Sequence, residues 1–273
     1  MIKAVKLMGI LLMFSNLAVA ENAPQTVDFE RKPRSHFFDE TAWLDYGLMT
    51  AFTQGVDRTS LDNAVYHSGS RSLRVSYPRG AVGPAKGGYQ AAVILPAKRQ
   101  YYLSYWLRFD EHFSWGGDQQ GGKLPGLGAD ALCSGGDRCS GSNGFTARYM
   151  WRKDGAAVLY LYHMHKPHKW GEDLPLTVGS KPVYFQPGQW VHLLQRVKTN
   201  SGKHADGEVQ VWVNGAEALH RTGLQFADNG QLIDRFYFST FHGGNTPDWG
   251  PQRDSHIWYD DIRVGSSADD VLP

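Results

Sequence analysis

Short segments in which apolar and polar side chains alternate recur along most of this chain. A period of two sends successive side chains to opposite faces, the pattern of a half-buried strand. Such segments run over 70–77, 101–109, 145–152, 157–162, 190–197, 208–213, 236–241 and 256–264. Turn-forming pairs separate them: Asp154-Gly155, Pro187-Gly188, Asn214-Gly215 and Asn229-Gly230. Asn214-Gly215 directly follows Val209-Gln210-Val211-Trp212-Val213 and predicts a two-residue hairpin. No long amphipathic helix is predicted; short helical turns are expected only near 39–44 and 60–63. Many short strands and 31 glycines point to an all-β chain, a two-sheet antiparallel β-sandwich of the jelly-roll type. No shift in composition divides 21–273, so one domain is expected there. The glycine-rich stretch 116–144 interrupts the strand pattern and reads as a long functional loop.

The first twenty residues read as a targeting segment. Lys3 and Lys6 precede an apolar run from Met8 to Phe14, and Ala18-Val19-Ala20 supplies small residues before a cut ahead of Glu21. The run is too short to span a bilayer. The remainder is expected to be exported, periplasmic or secreted, and monomeric. Without Lys3 and Lys6 the chain keeps 26 Lys/Arg against 27 Asp/Glu. That balance calls for neither nucleic acid nor an anionic membrane as partner; an anionic substrate would need a local basic site. Cys133 and Cys139 are the only cysteines, and in an oxidising compartment so close a pair predicts a small disulfide loop. Ser134, Gly135 and Gly136 suit such a loop, and no ligand pair lies nearby, so no metal is expected there.

That basic site is visible. Between Arg148 and Lys169 stand five Lys/Arg and a single acid, Asp154. Tyr160 and Tyr162 share one strand face; Thr146, Arg148 and Arg152 share one on the preceding strand. The intervening turn decides whether the two sets meet. A two-residue loop at Asp154-Gly155 would place Arg148 opposite Leu161 and turn the tyrosines away. A three-residue loop, Lys153-Asp154-Gly155, built as a type I turn with a glycine bulge, pairs Arg152 with Ala156 and puts Arg148 opposite Tyr160. The clustering of polar groups favours the three-residue loop.

Gly121-Gly122-Lys123-Leu124-Pro125-Gly126-Leu127, Cys133-Ser134-Gly135-Gly136, the run Gly144-Phe145-Thr146-Ala147-Arg148-Tyr149-Met150-Trp151-Arg152, and Tyr160-Leu161-Tyr162 resemble the alginate and glucuronan lyases of polysaccharide lyase family 14. Supporting stretches include Ser68-Gly69-Ser70-Arg71-Ser72-Leu73-Arg74-Val75, Phe238-Ser239-Thr240-Phe241-His242-Gly243-Gly244 and Tyr259-Asp260-Asp261-Ile262-Arg263-Val264. The resemblance implies a jelly roll with substrate in a cleft on one sheet, and Lys123, Arg148, Tyr160 and Tyr162 at its active site. Thr146 stands where the family is expected to carry Ser.

The implied reaction is β-elimination on a polyuronate, without a cofactor. The C5 proton is weakly acidic while the adjacent carboxylate is charged, so a cation against that carboxylate is needed; Lys123 and Arg148 are suited to it. Tyr160 or Tyr162 would act as base and acid, since nearby cations favour a phenolate. In mannuronate and glucuronate the C5 proton and C4 oxygen share a ring face, which points to mannuronate-rich alginate or glucuronan. Thr146, Gln90, Arg152 and His242 are the expected substrate-binding residues; Trp115 and Trp249 are candidates for stacking on sugar rings or anchoring loops. A non-catalytic carbohydrate-binding module is the alternative. It would share the fold but would not need Lys123 and the tyrosines to converge. A glycoside hydrolase would need a pair of facing carboxylates, and no strand-borne pair is present. Asp260 and Asp261, being adjacent, point to opposite faces and are not expected to share a cation.

Overall fold

The structure is a computed structural model that describes residues 23–31 and 34–272. The predicted targeting segment 1–20 lies outside the described residues. The strands in chain order are β1 (Gln25–Val27), β2 (Thr50–Gln54), β3 (Thr59–Asp62), β4 (Ser72–Tyr77), β5 (Tyr89–Lys98), β6 (Gln100–Phe109), β7 (Gly122–Gly128), β8 (Thr146–Trp151), β9 (Ala157–Tyr162), β10 (Glu172–Pro175), β11 (Thr177–Val178), β12 (Lys181–Pro182), β13 (Trp190–Lys198), β14 (Gly207–Val213), β15 (Ala216–Leu224), β16 (Ile233–His242) and β17 (Ser255–Gly265). A front sheet runs β10-β9-β8-β7-β16-β5-β2; a back sheet runs β15-β14-β13-β6-β17-β4-β3, with β1 added alongside β17. Pairings within both are antiparallel, and the result is the predicted jelly-roll sandwich. No helix among the described residues is long and apolar enough to cross a membrane.

Alternation places the core. On β6, Leu103, Tyr105, Leu107 and Phe109 point inward; across from them stand Ala147, Tyr149 and Trp151 of β8 and Phe236 and Phe238 of β16. The one α-helix among the described residues, α1 (Glu40–Asp45), is capped by Asp39, whose carboxylate accepts the Thr41 and Ala42 N–H groups. It carries Trp43 over Phe236 and Phe238, and the indole N–H donates to the Tyr89 hydroxyl at 2.7 Å. The hairpin at Asn214-Gly215 forms as predicted, both residues having positive φ (49° and 81°) and Val213 pairing with Ala216.

Two expectations change. Residues 60–63 do not turn into a helix: Thr59–Asp62 is strand β3, zipped to β4 through Thr59–Val75 and Leu61–Leu73 pairs. The stretch 116–144 is not wholly loop, because Gly122–Gly128 is β7, in the middle of the front sheet. Glycine and proline hide it from propensity, yet the packing requires them. A Cβ on Gly122 would lie 2.0 Å from the Trp151 ring, and one on Gly126 would lie 2.0 Å from the Ala147 carbonyl oxygen. Pro125 falls where the β7–β8 register shifts between Lys123 and Gly126, and its carbonyl accepts the Tyr105 hydroxyl. Backbone cannot retreat as a side chain can, so Gly126→Ala should destabilise by about 1–3 kcal/mol. Urea unfolding would read this as an earlier midpoint; an unmoved midpoint would refute the packing argument.

Candidate active site

The site is built on the outward face of β7, β8, β9 and β16. Its key step is the β8–β9 hairpin. Arg152 N–H donates to Ala156 O at 2.8 Å, leaving Lys153-Asp154-Gly155 as a three-residue loop. Arg148 therefore lies opposite Tyr160, and Thr146 opposite Tyr162, in the predicted register. The loop conformation differs from a type I turn in one respect: Asp154 is left-handed (φ 57°) as well as Gly155 (φ 83°), a conformation that aspartate tolerates better than most residues.

Arg148 is 2% exposed. Its Nη1 donates to Ser239 Oγ at 3.1 Å, and its guanidinium lies 5.0 Å from the Tyr237 ring centroid. Gln90 Nε2 donates to Tyr237 Oη (2.5 Å) and Ser239 Oγ (2.9 Å), tying β5 and β16 into the same network. Among the described residues no carboxylate pairs with Arg148, and its Nε has no hydrogen-bond partner. Burial lowers its affinity for the proton. A buried, uncompensated guanidinium is costly, and its unpaired Nε–H leaves it able to take an anion.

Lys123 comes from β7, opposite Met150 of β8 and Phe241 of β16. Its ammonium lies 4.3 Å from the Tyr160 ring centroid and 3.1 Å from Met150 Sδ. Burial, then Arg148 and Arg152 beside it, hold it well below the ordinary lysine range. The Tyr160 hydroxyl accepts the Gly171 N–H at 3.0 Å, and the Tyr162 hydroxyl accepts the Gly136 N–H at 2.9 Å. The two rings meet edge to face, 5.4 Å apart. Burial first, and then Tyr160, push the Tyr162 phenol above the ordinary tyrosine range, so it remains a neutral hydroxyl.

The disulfide Cys133–Cys139 is formed. Its loop packs on Met150, Val158, Tyr160 and Tyr162, and so makes a wall of the site while delivering the Gly136 N–H to Tyr162. Replacing both cysteines by serine should cost about 2–3 kcal/mol and lower turnover through the released loop. Thermal unfolding and initial rates on the same variant check both; a full rate on the destabilised protein would deny the loop its positioning role.

Some expected residues are not free groups on this face. Thr146 is fully buried beneath the disulfide loop, its hydroxyl donating to the Cys133 carbonyl at 3.1 Å. His242 points into the core, not to the cleft, because it shares a face of β16 with Phe236, Phe238 and Thr240. It stacks on Phe113 and meets Trp151 edge-on, and burial pushes it down to about 3. Arg152 is not a free cation: Asp173 of β10 takes it bidentately at 2.8 and 2.7 Å. It still lies 5.3 Å from the Tyr160 ring and braces it. Trp115 packs on Phe109 and Phe113 as a loop anchor. Asp260 and Asp261 clasp one turn, accepting His67 N–H, Ser68 N–H, Ser68 Oγ–H and a His67 ring contact. Among the described residues no cluster of His, Cys, Asp and Glu could hold a metal ion. Sequence reasoning missed Tyr237, Ser239, Met150, Asp173 and the two glycine N–H donors. Tyr237 and Ser239, two apart on a recognised strand, carried a readable signal; the others depend on pairing.

The sequence profile described as polysaccharide lyase 14 matches residues 65–262. Among solved structures, the alginate lyase Aly36B superposes with a TM-score of 0.75 at 25% identity, covering 89% of this chain and 97% of that one. A variant of it in complex with alginate trisaccharide gives 0.76 at 24% identity, over 90% and 99%. The marine alginate lyase from Aplysia kurodai gives 0.70 at 23%, over 89% and 98%. The endo-β-1,4-glucuronan lyase from the fungus Trichoderma reesei gives 0.54 at 15%, over 81% and 93%. No curated protein is a significant sequence match.

Proposed function

Because the chain belongs to polysaccharide lyase family 14, we propose that it cleaves a polyuronate, mannuronate-rich alginate or glucuronan, by β-elimination on the outer face of β7, β8, β9 and β16. The observation that carries this reading is Arg148: a buried guanidinium that no carboxylate of the described residues pairs, matched to the carboxylate of a uronate. Alginate and glucuronan are the substrates named for the lyases with which the chain shares its fold.

On this reading Arg148 alone is the cation, and the base, expected of Tyr160 or Tyr162, becomes Lys123. Arg148 keeps its charge at all working pH values and neutralises the substrate carboxylate, stabilising the enolate-like intermediate. Lys123, whose ammonium is held well below the ordinary lysine range, supplies a neutral amine that takes the C5 proton. Tyr160, beside it, returns a proton to the C4 oxygen. The C5–H and C4–O bonds break, the C4=C5 double bond forms, and a 4,5-unsaturated uronate end is left. Tyr162, fixed by Gly136, and Gln90, through Tyr237 and Ser239, hold the pieces in place. The rate should rise with pH as Lys123 loses its proton, along a limb lying below the reference lysine value of about 10.4.

The test incubates the purified protein with polymannuronate, polyguluronate and glucuronan and follows ultraviolet absorbance of the unsaturated ends. Binding without absorbance on every polymer would make the chain a carbohydrate-binding module instead. Export through residues 1–20 belongs to the same reading; the disulfide supports it, and N-terminal sequencing of the secreted chain tests it. A monomer is expected, checked by sedimentation.

A further inference from the structure

The face of the back sheet that looks away from the core carries a groove of about 680 Å3. It lies on the side of the sandwich remote from Lys123 and Arg148. Its lining includes three half-buried indoles, Trp106 of β6, Trp190 of β13 and Trp212 of β14, with His192 and Asn214 between them. Strand pairing sets the spacing: Trp106 is opposite His192, and Leu194 is opposite Trp212. The platform is braced from one side. His67 stacks on Trp106 with ring centroids 3.8 Å apart and 15° between planes, and its Nδ1 is tied to Asp261 at 2.8 Å. Asn214 is pinned by its carboxamide oxygen, which accepts the His192 N–H at 2.8 Å, so its NH2 is left facing solvent as a donor.

Among the described residues no Asp, Glu, Lys or Arg lines the groove. Burial pushes His192 down to about 4, so its ring is neutral and offers one donor and one acceptor. An uncharged, indole-floored groove is a poor seat for a polyanion. It is also too small for a stable protein interface: nine of the described residues line it, against roughly 20–30 on each side of a standard one. Flat indoles with isolated hydrogen-bonding groups between them suit a pyranose, whose axial C–H face stacks on the ring while its hydroxyls meet the polar groups.

We propose that the Trp106–Trp190–Trp212 groove is a second, non-catalytic binding site for a neutral polysaccharide chain. It would hold the protein on an uncharged matrix glycan while the opposite sheet acts on an anionic one.

Titration calorimetry with the exported protein, using neutral hexasaccharides of β-1,4-glucan, β-1,3-glucan and β-1,4-mannan and a mannuronate hexamer on a Lys123→Ala background, tests this. Saturable binding of at least one neutral hexasaccharide is expected. It should weaken at least tenfold in Trp212→Ala and in Ala268→Trp, which fills the groove from its wall. In a background with Lys123 intact, both variants should retain their rate on polyuronate, which also reports that they fold. Three results would overturn the proposal: no neutral hexasaccharide binding at millimolar concentration, binding indifferent to both variants, or displacement by the mannuronate hexamer. A dimer in sedimentation that Trp212→Ala dissolves would likewise reassign the groove to self-association.

Discussion

Arg148→Met should lose at least 100-fold in kcat/KM on polyuronate and yet unfold at a higher temperature than the parent protein. The loss follows from the chemistry: without a fixed cation, the carboxylate next to C5 keeps its charge as the proton leaves, and one such electrostatic contact is worth roughly 100- to 1000-fold. The gain follows from the packing. Arg148 is 2% exposed, holds one neutral hydrogen bond to Ser239, lies over the Tyr237 ring and leaves its Nε unpaired. Removing charge from a buried site and refilling it with apolar volume stabilises proteins by roughly 1–4 kcal/mol, or a rise of roughly 2–4 °C for each kcal/mol in a chain of this size. Activity bought with instability is the expected bargain at a site preorganised for charge. Rates and differential scanning calorimetry on the same preparation give the answer. A variant that is inactive and less stable would mean that Arg148 belongs to the scaffold.

The second large effect separates charge from proton transfer. Lys123→Arg places a permanent cation over Tyr160 and abolishes the amine. If Lys123 takes the C5 proton, this variant should fall by about 100- to 10,000-fold, and Tyr160→Phe should fall comparably, with substrate binding kept in both. The pH profile adds a readout that a structural role would leave unmoved. On that reading the depressed Lys123 titration sets the rising limb, and with arginine in its place that limb should disappear from the residual activity. Arginine working nearly as well as lysine would return position 123 to electrostatics and leave Tyr160 to act alone.

Much of this was legible in the chain. The period of two set the strands, and the clustering of polar groups favoured the three-residue loop Lys153-Asp154-Gly155 that brings Arg148 to Tyr160, because one residue more or less in the loop inverts a face. His242 was also legible in principle: Phe236 and Phe238 assign the even positions of β16 to the core, and counting on by two takes His242 with them. Strand β7 was not. Its glycines are dictated by Trp151 and by the Ala147 carbonyl, which lie distant in sequence, and propensity alone reads them as loop. Lys123 therefore stood out by family resemblance, not by pattern. Thr146 failed for a related reason: its strand face was read correctly, but the cover placed over it by the Cys133–Cys139 loop is a tertiary event. The Arg152–Asp173 pair likewise depends on β10 lying beside β9, with Asp173 opposite Tyr160, which no local signal announces.

The place of β16 bears on when the enzyme comes into being. Lys123 pairs with Phe241, 118 residues further along the chain, and Ser239 and Tyr237, the partners of Arg148, arrive on that same late strand. Until it has emerged and docked, β7 has a neighbour on only one side and the guanidinium has nothing to hold it. Such distant pairing slows folding. A chain that stops before β16 therefore lacks the partners of both Lys123 and Arg148, and the proposed site is complete only once that strand has closed the sheet.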